Sequence, residues 1–294
     1  MVATTKLLRY APAGALATAM AVTAADWLLT PISVSRVQAT MALHAPTKPG
    51  TRRVFVLFHG LWDGPSRFEW QPDYLAGYGH VLLVGSGAND RQTPVSALRY
   101  LRKQGLLDHD IYIMGFSKGS LIAVIAARLL IQEGRPPAGI MVTCGPGSPA
   151  AVIWPHQYVR LLAHVLPAGP LANRMWQQYW SRRQRQEAAR GNITEAAHAA
   201  WCKTRHIGAV LSGARLLSRG VNLQDGELAV IGRRVVVEQQ GDRLIAPSRS
   251  WWTRAMGTLT AHILVPTDIH GDFTASRAHY EFAWQSILAT APAA

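Results

Sequence analysis

The sequence predicts an α/β protein with a mostly parallel central sheet flanked by helices. Two observations lead to this class. Apolar runs such as "RRVFVLFHG" (52–60) and "DIYIMG" (110–115) are continuous rather than alternating, which is typical of strands covered on both faces. Segments with a helical pattern separate these runs along the chain. This alternation indicates βαβ units, in which ligands bind at the carboxyl ends of the strands.

The predicted elements follow one another in order. Strands are predicted within 37–46, 52–60, 80–87, 110–115, 138–145, 233–242 and 261–268. Helices are predicted at 93–105, at 120–134, which is apolar almost all round and therefore buried, and at 273–289.

One region interrupts the alternation. From Pro146 the chain has a helical pattern rich in Trp, Arg, Gln and Ala, and no buried strand is expected before "GELAVIG" (226–232). We interpret 146–228 as a helical cap or lid inserted into a core made of 33–145 and 229–294.

Composition limits the class of protein and of partner. Of 294 residues, 49% are hydrophobic and 16% charged, which predicts a sizeable core and excludes global disorder. The net charge of +13 favours anionic partners such as anionic lipid, acidic polymer or nucleic acid, but arginine-rich composition alone gives the same number. No nucleic-acid-binding motif supports the last of these, so a nucleic-acid partner is not expected.

The first 32 residues resemble a secretory signal peptide. Lys6 and Arg9 precede the uncharged, apolar stretch Ala11–Ala25, and small residues allow cleavage near Ala24 or Ala25. Asp26 ends the stretch, which is too short for a transmembrane helix. We therefore expect a secreted or periplasmic protein. The alternative is an alanine-rich N-terminal helix of a cytoplasmic enzyme.

The two cysteines, Cys144 and Cys202, are too few for a zinc site built on cysteine, and no CxxC motif occurs. One disulfide in an exported protein and two buried free thiols both remain open. No metal and no organic cofactor is expected.

The motif "GFSKG" (115–119) lies between a predicted strand and the buried helix. A serine on such a tight turn needs small flanking residues, and its hydroxyl then stands at a helix N-terminus, where N–H groups stabilise negative charge. Ser117 is therefore the candidate nucleophile.

A serine nucleophile needs a base and a group that orients the base. Asp242 follows the strand in "VVVEQQGDRLIAP", and His270 follows the last strand in "HILVPTDIHGDF". Four other residues are less suitable: Asp225 precedes its strand, Asp268 and Asp272 flank the histidine and suit loop roles, and His262 begins a strand. The expected triad is Ser117, Asp242 and His270.

With the motifs "FHGLW", "GFSKG", "GDRLIAP" and "DIHGD", the chain from about 35 to 290 resembles an α/β-hydrolase fold enzyme. The resemblance implies that the backbone N–H groups of Leu61 and Lys118 form the oxyanion hole, with His59 serving hydrogen bonds of the first turn. The turn is not the HGGG form, because Leu61 and Trp62 follow the glycine. Ser120 stands where many relatives have glycine.

The cap sequence suggests a substrate and a surface. "NRMWQQYWSRRQRQEAARG" (173–191) places aromatic residues beside arginines, which suits an amphipathic element on an anionic or lipid surface. Alternatively its aromatics pack on the core and its arginines face water. The apolar stretch 152–172 could line an acyl pocket.

These features predict a serine hydrolase of carboxylic esters, with lipid-like or medium-chain acyl groups. A thioesterase or acyltransferase with the same triad is an alternative, and so is a non-catalytic protein that binds lipid or another anionic surface. Fold alone does not separate them.

Overall fold

The computed structural model describes residues 20–30, 38–61, 64–87, 89–153, 163–164, 166–267 and 269–289. The described chain forms two compact units. The helical unit comprises 20–30 and 166–211, and the sheet unit comprises the described parts of 38–164 and 212–294. Of the predicted cap range of 146–228, only residues 166–211 of the described chain belong to the helical unit.

The sheet unit contains a seven-stranded sheet of order β1-β3-β2-β4-β5-β6-β7. The strand β1 at one edge is antiparallel to β3, and all the other pairs are parallel. The predicted fold class, a mostly parallel sheet with flanking helices, is confirmed. The strands are β1 (Thr40–His44), β2 (Arg53–Phe58), β3 (His80–Gly85), β4 (Asp110–Phe116), β5 (Gly139–Thr143), β6 (Arg233–Gln239) and β7 (Ala261–Val265).

Helices follow the strands and include the three that the sequence predicts. We number them α1 (20–30), α2 (Gln71–Ala76), α3 (Thr93–Lys103), α4 (Lys118–Gln132), α5 (Pro170–Ala189), α6 (Ile193–Thr204), α7 (Ile207–Arg219), α8 (Arg249–Met256) and α9 (Arg277–Leu288). Short 3₁₀ turns lie at Pro65–Phe68 and Pro149–Ala151. Among the described helices, none is long and apolar enough to cross a membrane.

Two hydrophobic clusters cover the two faces of the sheet. Alternate residues of each central strand point to opposite faces, so that Val54 and Val56 of β2 belong to one cluster and Phe55 and Leu57 to the other. The first cluster includes residues of α3, α4 and α8, and the second includes residues of α2 and α9. Because both faces are buried in the middle of the sheet, the strands β2 to β5 contain nearly continuous apolar runs, as their sequences indicate.

The segment "GELAVIG" does not form the expected strand, and that prediction is wrong. Residues 226–232 form successive turns, in which the N–H of Ala229 bonds to Gly226 and that of Ile231 to Leu228. The N–H of Leu228 donates to the carbonyl of Ala255 next to α8 rather than to a strand. Leu228 and Ile231 are fully buried, so the apolar run reflects burial of turns.

In the helical unit, an aspartate of α1 caps the N-terminus of α5. Asp26 of α1 is 5% exposed, and its carboxylate accepts the N–H groups of Leu171 at 2.8 Å and Ala172 at 3.3 Å. An acidic group at this position satisfies unpaired N–H groups of a helix N-terminus and complements its dipole. The hydroxyl of Thr30 accepts the N–H of Ala168 at 3.0 Å.

Candidate active site

Ser117 lies on a sharp turn between β4 and α4. Its backbone angles are φ 53° and ψ −122°, an unusual conformation for a residue with a side chain. A Cβ on Gly119 would overlap the carbonyl oxygen of Phe58, and one on Gly115 would overlap that of Gly119. The two glycines are therefore required by the close approach of the backbone segments around the serine. The N–H of Ser117 donates to the carbonyl of Thr143 at 2.8 Å, which fixes the turn to the end of β5.

His270 and Asp242 form a hydrogen-bonded pair. His270 Nδ1 lies 2.7 Å from Asp242 Oδ2, and the two side chains are 13% and 3% exposed. The other oxygen, Oδ1, accepts the N–H groups of Leu244 at 2.8 Å and Ile245 at 3.1 Å. These donors hold the carboxylate in place, so it orients the ring with its proton on Nδ1. Nε2 is then left able to accept a proton, as a general base requires.

The loop that carries His270 is fixed by contacts that the sequence analysis did not identify. The N–H of Gly271 donates to Gln239 Oε1 at 3.0 Å, and Arg67 Nη2 donates to the carbonyl of His270 at 3.1 Å. Gly271 has φ 73°, and a Cβ there would overlap the Phe116 ring. Gln239, the last residue of β6, is 2% exposed. A polar residue directly after the apolar run of this strand was the signal available in the sequence.

The structure brings His270 next to the turn that carries Ser117. The rings of His270 and Phe116, the residue before Ser117, are 4.9 Å apart between centroids. Within the described residues, Ser117 Oγ and His270 form no hydrogen bond. The Asp242–His270 pair is formed, whereas the Ser117–His270 contact is not.

The first predicted oxyanion turn is organised by His59. Its Nδ1 lies 2.7 Å from the carbonyl of Gly60, which can only accept, and its Nε2 lies 3.1 Å from the N–H of Ser86, which can only donate. These partners require the neutral tautomer with the proton on Nδ1. Leu61 follows Gly60 in the segment after β2. Lys118 is the first residue of α4, in the turn where N–H groups have no acceptor inside the helix.

The side chain of Lys118 lies in a buried polar cluster that the sequence analysis missed. Its ammonium lies 2.6 Å from Ser86 Oγ and 3.1 Å from Asp90 Oδ1. Lys118 and Asp90 each have 1% side-chain exposure. Asp90 opens the turn after β3, and the signal available in the sequence was a lysine directly after Ser117. The cluster makes this turn part of the site's framework.

Cys144 is the third ionisable group beside the Asp242–His270 pair. The side chains of all three offer ligand atoms within 4.8 Å of one another, the one grouping of metal-binding type among the described residues. Burial, and next the nearby Asp242 carboxylate, raise the pKa of the Cys144 thiol well above its ordinary value. The thiol is therefore protonated at neutral pH. Cys144 and Cys202 are both buried and free, so the disulfide alternative is absent from this structure.

The less suitable acids and the second histidine have other partners. Asp225 forms an exposed ion pair with Arg254, and Asp272 accepts the N–H of Ala275. His262 Nε2 lies 2.8 Å from Glu238 Oε2, between β7 and β6. Asp268 lies outside the described residues.

Comparison with known proteins gives the fold. No protein-family model matches the sequence, and no curated protein does. Several solved structures do match. An enol-lactonase from Burkholderia xenovorans LB400 is 11% identical, with a TM-score of 0.62, and the match covers 87% of this chain and 98% of that one. A thermophilic esterase from Thermogutta terrifontis is 13% identical, with a TM-score of 0.61, and the match covers 85% of this chain and 94% of that one. The type II thioesterase BorB from the borrelidin biosynthetic cluster is 13% identical, with a TM-score of 0.56, and the match covers 84% of this chain and 95% of that one.

At these identities the likeness concerns the fold. The parallel sheet, the serine on the turn after β4, and the acid and histidine after β6 and β7 agree with the same architecture. The chain has the α/β-hydrolase fold.

Proposed function

We propose that the protein is a hydrolase that cleaves carboxylic esters through Ser117, His270 and Asp242. The observation that carries the proposal is the hydrogen bond of 2.7 Å between His270 Nδ1 and Asp242 Oδ2, on a loop packed against the turn of Ser117. A binding module has no need of an oriented imidazole beside a serine in a strained backbone conformation. The similar solved structures include an esterase and a lactonase, which supports this reaction class.

The reaction follows from the roles of these groups. Ser117 Oγ attacks the ester carbonyl while His270 Nε2 takes its proton, and Asp242 stabilises the resulting imidazolium. The N–H groups of Leu61 and Lys118 stabilise the oxyanion, each contributing about 3 kcal/mol by analogy with other oxyanion holes. His270 then gives its proton to the leaving alcohol as the C–O bond breaks. Water, activated by the same histidine, releases the acid and restores Ser117.

A thioester substrate is the second candidate, because the type II thioesterase has the same fold. Both substrates pass through the same acyl-enzyme, and they differ in the leaving group. A lipid-like or medium-chain acyl group remains our expectation for the substrate.

The test measures hydrolysis of p-nitrophenyl esters of graded acyl length, and of matched acyl thioesters, by the wild type, Ser117→Ala and His270→Gln. We expect turnover by the wild type alone, and covalent labelling of Ser117 by a fluorophosphonate. Faster turnover of the thioesters would identify the second candidate. Equal turnover by wild type and Ser117→Ala, or folded wild type that neither turns over nor is labelled, would contradict the proposal.

A further inference from the structure

Exposed apolar side chains are concentrated in the helical unit. Of the fifteen large hydrophobic residues that are exposed in the described chain, ten lie in this unit, although it is much the smaller of the two. They are Met20, Val22, Trp27, Leu28, Leu29, Leu166, Leu171, Met175, Tyr179 and Ile193. Exposed apolar groups collected in one small unit indicate an interaction surface.

The α1 helix contributes one part of this surface. Trp27, Leu28 and Leu29 are 39%, 78% and 46% exposed. The one acidic residue of α1, Asp26, is buried and bonded to the N-terminus of α5. The exposed side of α1 is therefore free of negative charge, and Asp26 fixes it beside Leu171, which is itself 41% exposed.

The outer face of α5 carries apolar and basic residues together. Leu171, Met175, Gln178, Arg182 and Arg185 recur at spacings of three and four residues, so they form one stripe along the helix, and all five are exposed. The stripe is apolar at its start, next to α1, and basic toward its end.

The stripe is exposed because the opposite face of α5 packs against α6. Trp176 Nε1 donates to the carbonyl of Cys202 in α6 at 2.9 Å, and the Trp180 ring packs edge-on against His198 of α6. The two tryptophans thus form the contact between the helices. The arginines of the stripe are left on the outside.

Four cations line a groove between α5 and α6. Arg174, Arg182, Arg185 and Lys203 surround a volume of about 550 Å³, together with Gln177, Gln178, Ser181 and Thr204. No carboxylate lines the groove, and none of the four cations has an ion-pair partner among the described residues. By contrast, the neighbouring Arg183 and Arg190 both pair with Glu187.

We propose that this face of the helical unit binds the surface of an anionic lipid bilayer. Leu28, Leu171 and Met175 would enter the boundary between headgroups and acyl chains, while Arg182, Arg185 and the other groove cations contact lipid phosphates. Amphipathic helices with basic and apolar residues bind membranes by this combination of burial and attraction. A soluble polyanion would use the cations and leave the apolar side chains in water, so the combination favours a bilayer. The proposal does not depend on the ester-hydrolase activity.

The experiment measures co-sedimentation of the full chain with vesicles. The Ser117→Ala protein is used so that lipid is not consumed during the assay. Vesicles of phosphatidylcholine are compared with vesicles that also contain phosphatidylglycerol. We expect binding to the anionic vesicles, weakened by salt, with a blue shift of tryptophan fluorescence as Trp27 leaves water.

Matched variants separate the two contributions. Arg182→Gln with Arg185→Gln should weaken binding about twenty-five-fold, since each basic residue near an anionic surface gives roughly a five-fold gain. Leu28→Ser with Met175→Ser should also weaken it and remove the blue shift. The controls change exposed residues of the sheet unit: Arg99→Gln with Arg249→Gln, and Val230→Ser with Phe282→Ser. Both controls should bind like the parent.

Four outcomes would overturn the proposal. The first is no binding to anionic vesicles by the folded protein. The second is an equal loss in the groove and control variants, which would indicate net charge alone. The third is binding that depends on the arginines but not on Leu28 and Met175, and that heparin competes fully, which would indicate a soluble polyanion. The fourth is self-association of the free protein, measured by light scattering, that Leu28→Ser with Met175→Ser abolishes, which would indicate a second copy of the chain on this face.

Discussion

The ammonium of Lys118 lies 3.1 Å from Asp90 Oδ1, and both side chains are almost completely buried. Ser86 joins this pair to the proposed oxyanion turn, because its Oγ accepts Lys118 Nζ at 2.6 Å and its N–H donates to His59 Nε2 at 3.1 Å. The segments that carry the two proposed oxyanion donors, Leu61 and Lys118, are therefore linked through Ser86. The pair lies where it would fix the relative position of these donors.

Removing one charge of this pair should destabilise the protein strongly. Asp90→Asn leaves the buried Lys118 ammonium without a counter-charge, which typically costs about 3–5 kcal/mol. Lys118→Met should cost a similar amount, because it leaves the buried Asp90 carboxylate without a counter-charge. The double variant Lys118→Met with Asp90→Leu should recover most of the loss, since apolar groups often replace a buried ion pair at little cost. Urea unfolding of the full chain gives these free energies.

The exposed pair Arg102–Glu133 is the matched control, with side chains that are 58% and 40% exposed. Arg102→Ala should cost less than about 1 kcal/mol. If Asp90→Asn were equally mild, Lys118 would not need its counter-charge. If the double variant recovers stability but not kcat, the pair positions the oxyanion donors rather than only stabilising the fold.

Gly119→Ala should prevent the native turn at Ser117. The added methyl group would overlap the carbonyl oxygen of Phe58, which belongs to the backbone of a central strand and cannot move aside. We expect a loss of about 3 kcal/mol of unfolding free energy, or no soluble protein. The control is Gly232→Ala, where the nearest heavy atom would lie 3.4 Å away, and near-wild-type stability is expected. Similar thermal unfolding of the two variants would contradict the crowding at the turn.

Stability should fall on mild acidification because of His80. Burial, and next the neighbouring His109, lower the pKa of His80 below its ordinary value of 6.5. The unfolded chain then binds a proton at a higher pH than the folded chain, so the stabilisation is present above pH 6.5 and is lost as the pH falls through the folded pKa. We expect His80→Phe to lose less unfolding free energy than the wild type between about pH 7.5 and pH 5.5.

The control for this pH effect is His164→Gln, at an exposed position whose ring bonds to Ser218. It should keep the acid sensitivity of the wild type. An unchanged pH dependence in His80→Phe would show that the acid sensitivity has another source.

The two thiols should be unreactive in the folded protein. Cys144 and Cys202 are 3% and 2% exposed, and the raised pKa of Cys144 leaves little thiolate at neutral pH. Thiol titration with a chromogenic disulfide should therefore detect essentially no thiol in buffer and both in guanidinium. Absence of thiol in guanidinium, reversed by reductant, would instead show a disulfide. Rapid native labelling that Cys144→Ser removes would show that the region around Asp242 opens to solvent.

The sequence predicted the sheet well, because a strand buried on both faces requires a continuous apolar run. All seven segments that we interpreted as strands of the core form one, and the continuous apolar runs of 52–60, 80–87, 110–115 and 138–145 correspond to the buried strands β2 to β5. The error at "GELAVIG" has the same origin, since buried turns also need apolar residues and short runs do not distinguish the two.

The residues of the candidate site also fall into two groups, those that the sequence could identify and those that it could not. Ser117, Asp242 and His270 could be singled out because their chemistry has a fixed order on strands of this type. Gln239, Arg67 and Asp90 could not, because their roles depend on single contacts between segments far apart in the chain.

The positions of the strands along the chain, the tight turn at Ser117 and the acid and histidine that follow later strands were determined by the sequence alone, because local apolar pattern and glycine spacing encode them. The tertiary structure decided three other features: which oxygen of Asp242 orients His270, the burial of Lys118 with Asp90, and the outward face of α5. These depend on which side chains meet across the folded chain, and periodicity along the sequence carries no information about such pairs.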